Sequence, residues 1–72
     1  MTRRFTAVIE RDADSGLFIG VVPGLPGAHT QAASLDELNR NLKEVIQLCL
    51  EEAGKTVEVP EVVGTQLIDI ET

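Results

Sequence analysis

The chain has 72 residues, twelve acids against six bases for a net charge of −6, and one cysteine. This length admits one domain near the lower size for a self-sufficient core, and such domains recover burial through disulfides, a metal or self-association. A disulfide within the chain is excluded because Cys49 stands alone, and a metal site is disfavoured because His29 is the only imidazole, so self-association to at least a dimer is expected.

Residues 4–10 alternate, with Phe5, Ala7 and Ile9 on one face and Arg4, Thr6, Val8 and Glu10 on the other. Period two over seven residues predicts a strand. The run from Arg11 to Gly16 is rich in turn formers, and residues 17–22 are continuously apolar. Two strands joined by a short turn make an antiparallel hairpin.

Pro23-Gly24-Leu25-Pro26-Gly27 must end the second strand, since a proline cannot donate to a ladder. A tight corner is expected there, then a short edge strand within residues 28–32. Ser34 followed by Glu37 has the spacing of a capping box. Leu35, Leu38, Leu42, Val45, Ile46, Cys49, Leu50 and Ala53 then recur at intervals of three and four. This predicts an amphipathic helix over residues 35–53, roughly 28 Å long. Asp36 and Glu37 suit the positive end of its dipole, and Gly54 is placed to stop it.

Residues 55–64 read as a connector interrupted by Pro60. Residues 66–70, with Leu67, Ile68 and Ile70, read as a last strand. The expected architecture is α+β, in the order β-β-β-α-β. It has a four-stranded mixed sheet of order 3-2-1-4 with one helix packed on one face. The last strand runs parallel to the first through a right-handed crossover. Residues 1–72 form a single domain with no internal repeat.

No apolar run approaches the roughly 20 residues of a membrane span, and no signal-peptide core follows the basic start. A lone thiol suits a reducing compartment, so a cytoplasmic location is expected. The charge is uneven. Residues 1–11 carry Arg3, Arg4 and Arg11 against Glu10, a net of +2; residues 51–72 carry six acids against Lys55, a net of −5. A short basic start and two phenylalanines, both expected to be buried, give little footing for direct nucleic-acid binding. A basic protein partner fits the acidic field better. Glu51, Glu52, Glu58 and Glu61, at the helix end and connector, are the candidate contacts for it.

The first strand, the acidic turn with glycine, the corner Pro23 to Gly27 and the helix pattern of Leu35, Glu37, Asn41 and Glu44 together resemble the HicB-like antitoxin family. The resemblance spans residues 5–52. It implies a cut-down ribonuclease-H-like fold and a place in a toxin–antitoxin system. The chain would bind a small basic RNA-cleaving HicA-type toxin and cover its active surface, with no cofactor and no catalysis of its own. Two departures stand out. Many members continue into a DNA-binding segment, which this sequence lacks after residue 70, so autorepression through such a segment is not expected. Members also often place glycine before the helix cap, where this chain has Ala32 and Ala33.

Other residues invite a chemical reading. His29 follows the corner, but no acid near it in sequence orients it for acid–base work, and a structural role is simpler. Cys49 falls on the apolar stripe and reads as a small buried hydrophobe rather than a reactive thiol. The corner itself reads first as a rigid turn and second as a recognition loop. Asn41 reads as a backbone cap or a helix–sheet link. Asp12 and Asp14 in the turn read as turn formers before cation ligands. A residual metal-dependent nuclease would need Glu10, Glu44 and Asp69 to converge. An orphan homo-oligomer without a toxin, associating through an exposed strand edge, is the remaining alternative.

Overall fold

The computed structural model describes residues 3–53 and 58–71. The described part is α+β, with elements β1 (Val8–Arg11), β2 (Phe18–Val21), β3 (His29–Ala32) and α1 (Leu35–Ala53) in chain order. The strands form one antiparallel sheet of order β1-β2-β3. Val8 lies opposite Val21 and Arg11 opposite Phe18; on the other side of β2, Phe18 lies opposite Ala32 and Val21 opposite His29.

The hairpin turn is held by Asp12. Its Oδ2 accepts from the Ser15 hydroxyl at 2.7 Å and from the Ser15 backbone N–H at 3.1 Å. The Gly16 N–H donates to the Asp12 carbonyl at 2.8 Å, and the Asp12 N–H to the Leu17 carbonyl at 2.9 Å. Such local side-chain bonds favour turns over continued strand.

β1 begins at Val8, four residues later than the alternation predicts. The register explains the shift. Continuing it backwards places Thr6 opposite Pro23, which has no N–H, so the ladder ends near the corner.

The corner is a structural element with a core of its own. Gly24 and Gly27 have φ values of 83° and 81°, a region that side chains disfavour. The Val22 N–H donates to the Ala28 carbonyl at 2.9 Å and the Ala28 N–H to the Leu25 carbonyl at 3.1 Å, closing the loop. Val22, Leu25 and Ala28 are buried together, with Phe5, Val45, Ile46, Cys49, Leu50 and Val59 packed against them.

The helix bounds match the predicted stripe. Ser34 caps the start, its hydroxyl accepting from the Glu37 N–H at 3.2 Å. The expected stop at Gly54 lies outside the described residues. Leu38, fully buried, and Leu42 pack on Ala32, with Ala7 and Phe18 alongside. The helix contacts β3 most, then β2, and not β1. Gly20 makes this possible: a Cβ there would stand 2.9 Å from Leu42 Cδ1 and 3.4 Å from both methyls of Leu38. Glycine in a strand interior marks close approach of a packed element.

The expected fourth strand is not formed. Residues 66–70 pair with nothing among the described residues and are exposed, Leu67 at 99%, Ile68 at 70% and Ile70 at 73%. The sheet therefore has three strands, not four in the order 3-2-1-4. It also lacks the parallel strand that the ribonuclease-H comparison requires. The physical reason is the seat of the helix. With α1 over β2 and β3, a strand outside β1 in one chain gains too little burial to offset the cost of ordering it, about 1–2 kcal/mol per residue.

Candidate functional site

Register and packing assign the two faces of the sheet. Gly20 points at the helix, so its partners Ile9 and Thr30 share that side. Val8, Glu10, Ile19, Val21, His29 and Gln31 face the other way, where no described element covers them. This open face carries Val8 at 36% exposure and Val21 at 41%, side by side, with half-buried Ile19 next to them.

On the helix side β1 is also bare, with Ile9 49% exposed. Beside it, a groove of about 560 Å³ runs between residues 3–7 and the helix. Phe5, Ala7, Leu42, Ile46 and Leu50 supply its apolar lining, and Arg3, Arg4 and Lys43 its cations. The outer flank of residues 3–6 meets Val59, Pro60, Glu61 and Val62 across a smaller crevice. The connector is fixed at Gly24, where any side chain would collide with the Pro60 ring.

Two arginines stack on the two phenylalanines. The Arg3 guanidinium lies 5.0 Å from the Phe5 ring centre and that of Arg11 4.7 Å from Phe18. Both rings are half-buried rather than buried. At these distances the ring face attracts the cation electrostatically.

The four candidate acids, Glu51, Glu52, Glu58 and Glu61, are all exposed. Glu51 and Glu52 occupy the last turn of α1, while Glu61 stands beside Arg3 and Arg4 in the small crevice. Glu61 thus sits among cations of its own chain and is the weakest of the four as a contact for a basic partner. The cationic groove was not anticipated. Its signal was the net charge of residues 1–11 together with Lys43 on the polar side of the helix.

The residues of the nuclease reading are not brought together. Glu10 is on the open face, Glu44 on the helix that covers the opposite face, and Asp69 in the unpaired tail. Among the described residues no group of three His, Cys, Asp or Glu side chains has a geometry for a metal ion. His29 is exposed on β3. The Asp12 carboxyl pKa is held below its ordinary value by the Ser15 hydroxyl and then the Ser15 N–H, which is a property of the turn.

Cys49 packs against the corner cluster and is half-buried rather than buried. Asn41 makes a long helix–sheet bond, its Nδ2 donating to the Gln31 carbonyl at 3.4 Å. No described helix is long and apolar enough to cross a membrane.

No family model and no solved structure matches the chain. It is 48% identical over 68 residues to the UPF0150 protein of Thermotoga maritima, covering 94% of this chain and 91% of that one. It is 49% identical over 69 residues to the UPF0150 protein of Archaeoglobus fulgidus, covering 96% and 97% of the two chains. A third UPF0150 protein, from Synechocystis, is 42% identical over 66 residues. Identity at this level, over nearly the full length of both partners, means that the chain belongs to the UPF0150 family.

Proposed function

We propose that this protein is a non-enzymatic binding module of the antitoxin type, which neutralises a small basic RNA-cleaving toxin of the HicA kind by covering its active surface. The observation that carries the reading is the open face of the sheet. Val8, Ile19 and Val21 form an apolar strip that nothing in the described chain covers, with Glu10 beside it. Uncovered apolar strips rimmed by polar groups are characteristic of protein-binding surfaces. The net charge of −6 supplies a field that steers a basic partner, and exposed Glu51, Glu52 and Glu58 on the helix and connector contribute to it. The likeness to HicB-like antitoxins in the corner and the helix motif points the same way.

The test is inhibition in a defined assay. Purified chain is titrated into a HicA-type ribonuclease from the same genome, with cleavage of a reporter RNA as the readout. Stoichiometric inhibition is expected. Val21→Lys on the open face should abolish it, and Glu51→Lys with Glu52→Lys should slow its onset and make it more sensitive to salt. Full ribonuclease activity in the presence of excess chain would overturn the proposal.

A further inference from the structure

Three features meet at β1. Its outer edge pairs with nothing among the described residues. The helix leaves it uncovered. The groove between residues 3–7 and α1 combines an apolar lining with Arg3, Arg4 and Lys43. An unpaired edge is a template for another strand.

The same chain carries a segment with the matching chemistry. In residues 66–70, Ile68 and Ile70 share one side in an extended conformation, while Leu67 and Asp69 share the other. All are exposed and outside any ladder. Asp69 and Glu71 are acidic where the groove is basic. The chain as a whole is extended: the Cα radius of gyration is 13.9 Å and the longest extent 44 Å, whereas a compact chain of this length has a radius of about 11 Å.

We propose that residues 66–70 of one copy add as a strand to the β1 edge of a second copy, with Ile68 and Ile70 entering the groove beside Phe5, Ile46 and Leu50, and that the exchange is reciprocal. The unpaired ladder groups of both segments are then satisfied together. Asp69 and Glu71 come near Arg3, Arg4 and Lys43. Each copy offers one tail and one groove, so two copies close the arrangement with two-fold symmetry and leave no free tail. The sheet gains its fourth strand outside β1 from the partner rather than from its own chain. Leu67 and Asp69 then extend the open side next to Val8 and Glu10, and Ile19 and Val21 stay uncovered.

Light scattering on the full chain tests the exchange. A dimer is expected at micromolar concentration. Ile68→Asp with Ile70→Asp should give a monomer with an unchanged far-ultraviolet circular dichroism signal from α1, because these side chains lie outside the core. Self-association should weaken by about tenfold or more for each apolar side chain lost. A peptide of residues 63–72 should bind the variant, whose groove is free, and bind it less tightly after Lys43→Glu. A monomeric parent chain, a variant that remains a dimer, or a peptide that does not bind would each overturn the proposal.

Discussion

Replacing Gly20 by valine probes the seat of the helix directly. Gly20 is not among the glycines with positive φ, so its backbone accepts a side chain and the effect is one of space. A Cβ there meets Leu42 Cδ1 at 2.9 Å and two Leu38 methyls at 3.4 Å. Alanine sets a gain of about 0.4–1 kcal/mol, from the reduced freedom of the unfolded chain, against the cost of turning the end of Leu42 aside. Those terms nearly cancel, so Gly20→Ala should change stability by less than about 1 kcal/mol. Valine adds two methyls between the helix and β2 and should cost about 2–3 kcal/mol, near the upper end for overpacking. A domain of this length has roughly 4–11 kcal/mol in total, so the loss is readily measured. The assay is urea unfolding followed by far-ultraviolet circular dichroism at one fixed protein concentration, the chain having no tryptophan or tyrosine to report by fluorescence. If Gly20→Val were as stable as the parent, the helix would not rest on β2 and the assignment of both sheet faces would fail.

Other outcomes follow from single contacts. Leu38 is fully buried between α1 and β3, so Leu38→Ala should cost about 3–5 kcal/mol in the same unfolding assay. Ser34→Ala removes the cap on the Glu37 N–H and should cost about 1 kcal/mol, with Ser34→Asp close to neutral. The Asp12 pKa is held below its ordinary value by Ser15. The stabilisation of the turn by this carboxylate is therefore complete above the ordinary aspartate value and is lost as the pH falls through the lowered folded value. A carboxyl-carbon titration by NMR should show the Asp12 midpoint below that ordinary value, and Ser15→Ala should raise it.

The parts of the fold written in local chemistry were legible in the sequence. Ser34, the three-and-four spacing from Leu35 to Leu50 and the prolines at 23 and 26 placed the helix and the corner, because caps, stripes and missing N–H groups act over a few residues. The third strand was legible for the same reason, the corner leaving room for nothing else. Where the helix sits on the sheet depends on Gly20, which passes unnoticed within an apolar run of residues 17–22. The apolar residues Leu67, Ile68 and Ile70 predict a fourth strand that the sheet does not contain, because local apolar content carries no information on whether an edge is there to pair with. The acidic residues drew attention to the helix end, whereas the groove arises from Arg3, Arg4 and Lys43, which are distant in sequence and gathered only by folding.

The association of tail and edge is settled most directly by mixing isotopically labelled and unlabelled chains and recording only the NOE contacts that cross between copies. Signals joining Ile68 and Ile70 of one chain to Phe5, Ala7 and Ile46 of the other are the expected result. Contacts of those isoleucines that arise solely within one chain, or none at all, would contradict it.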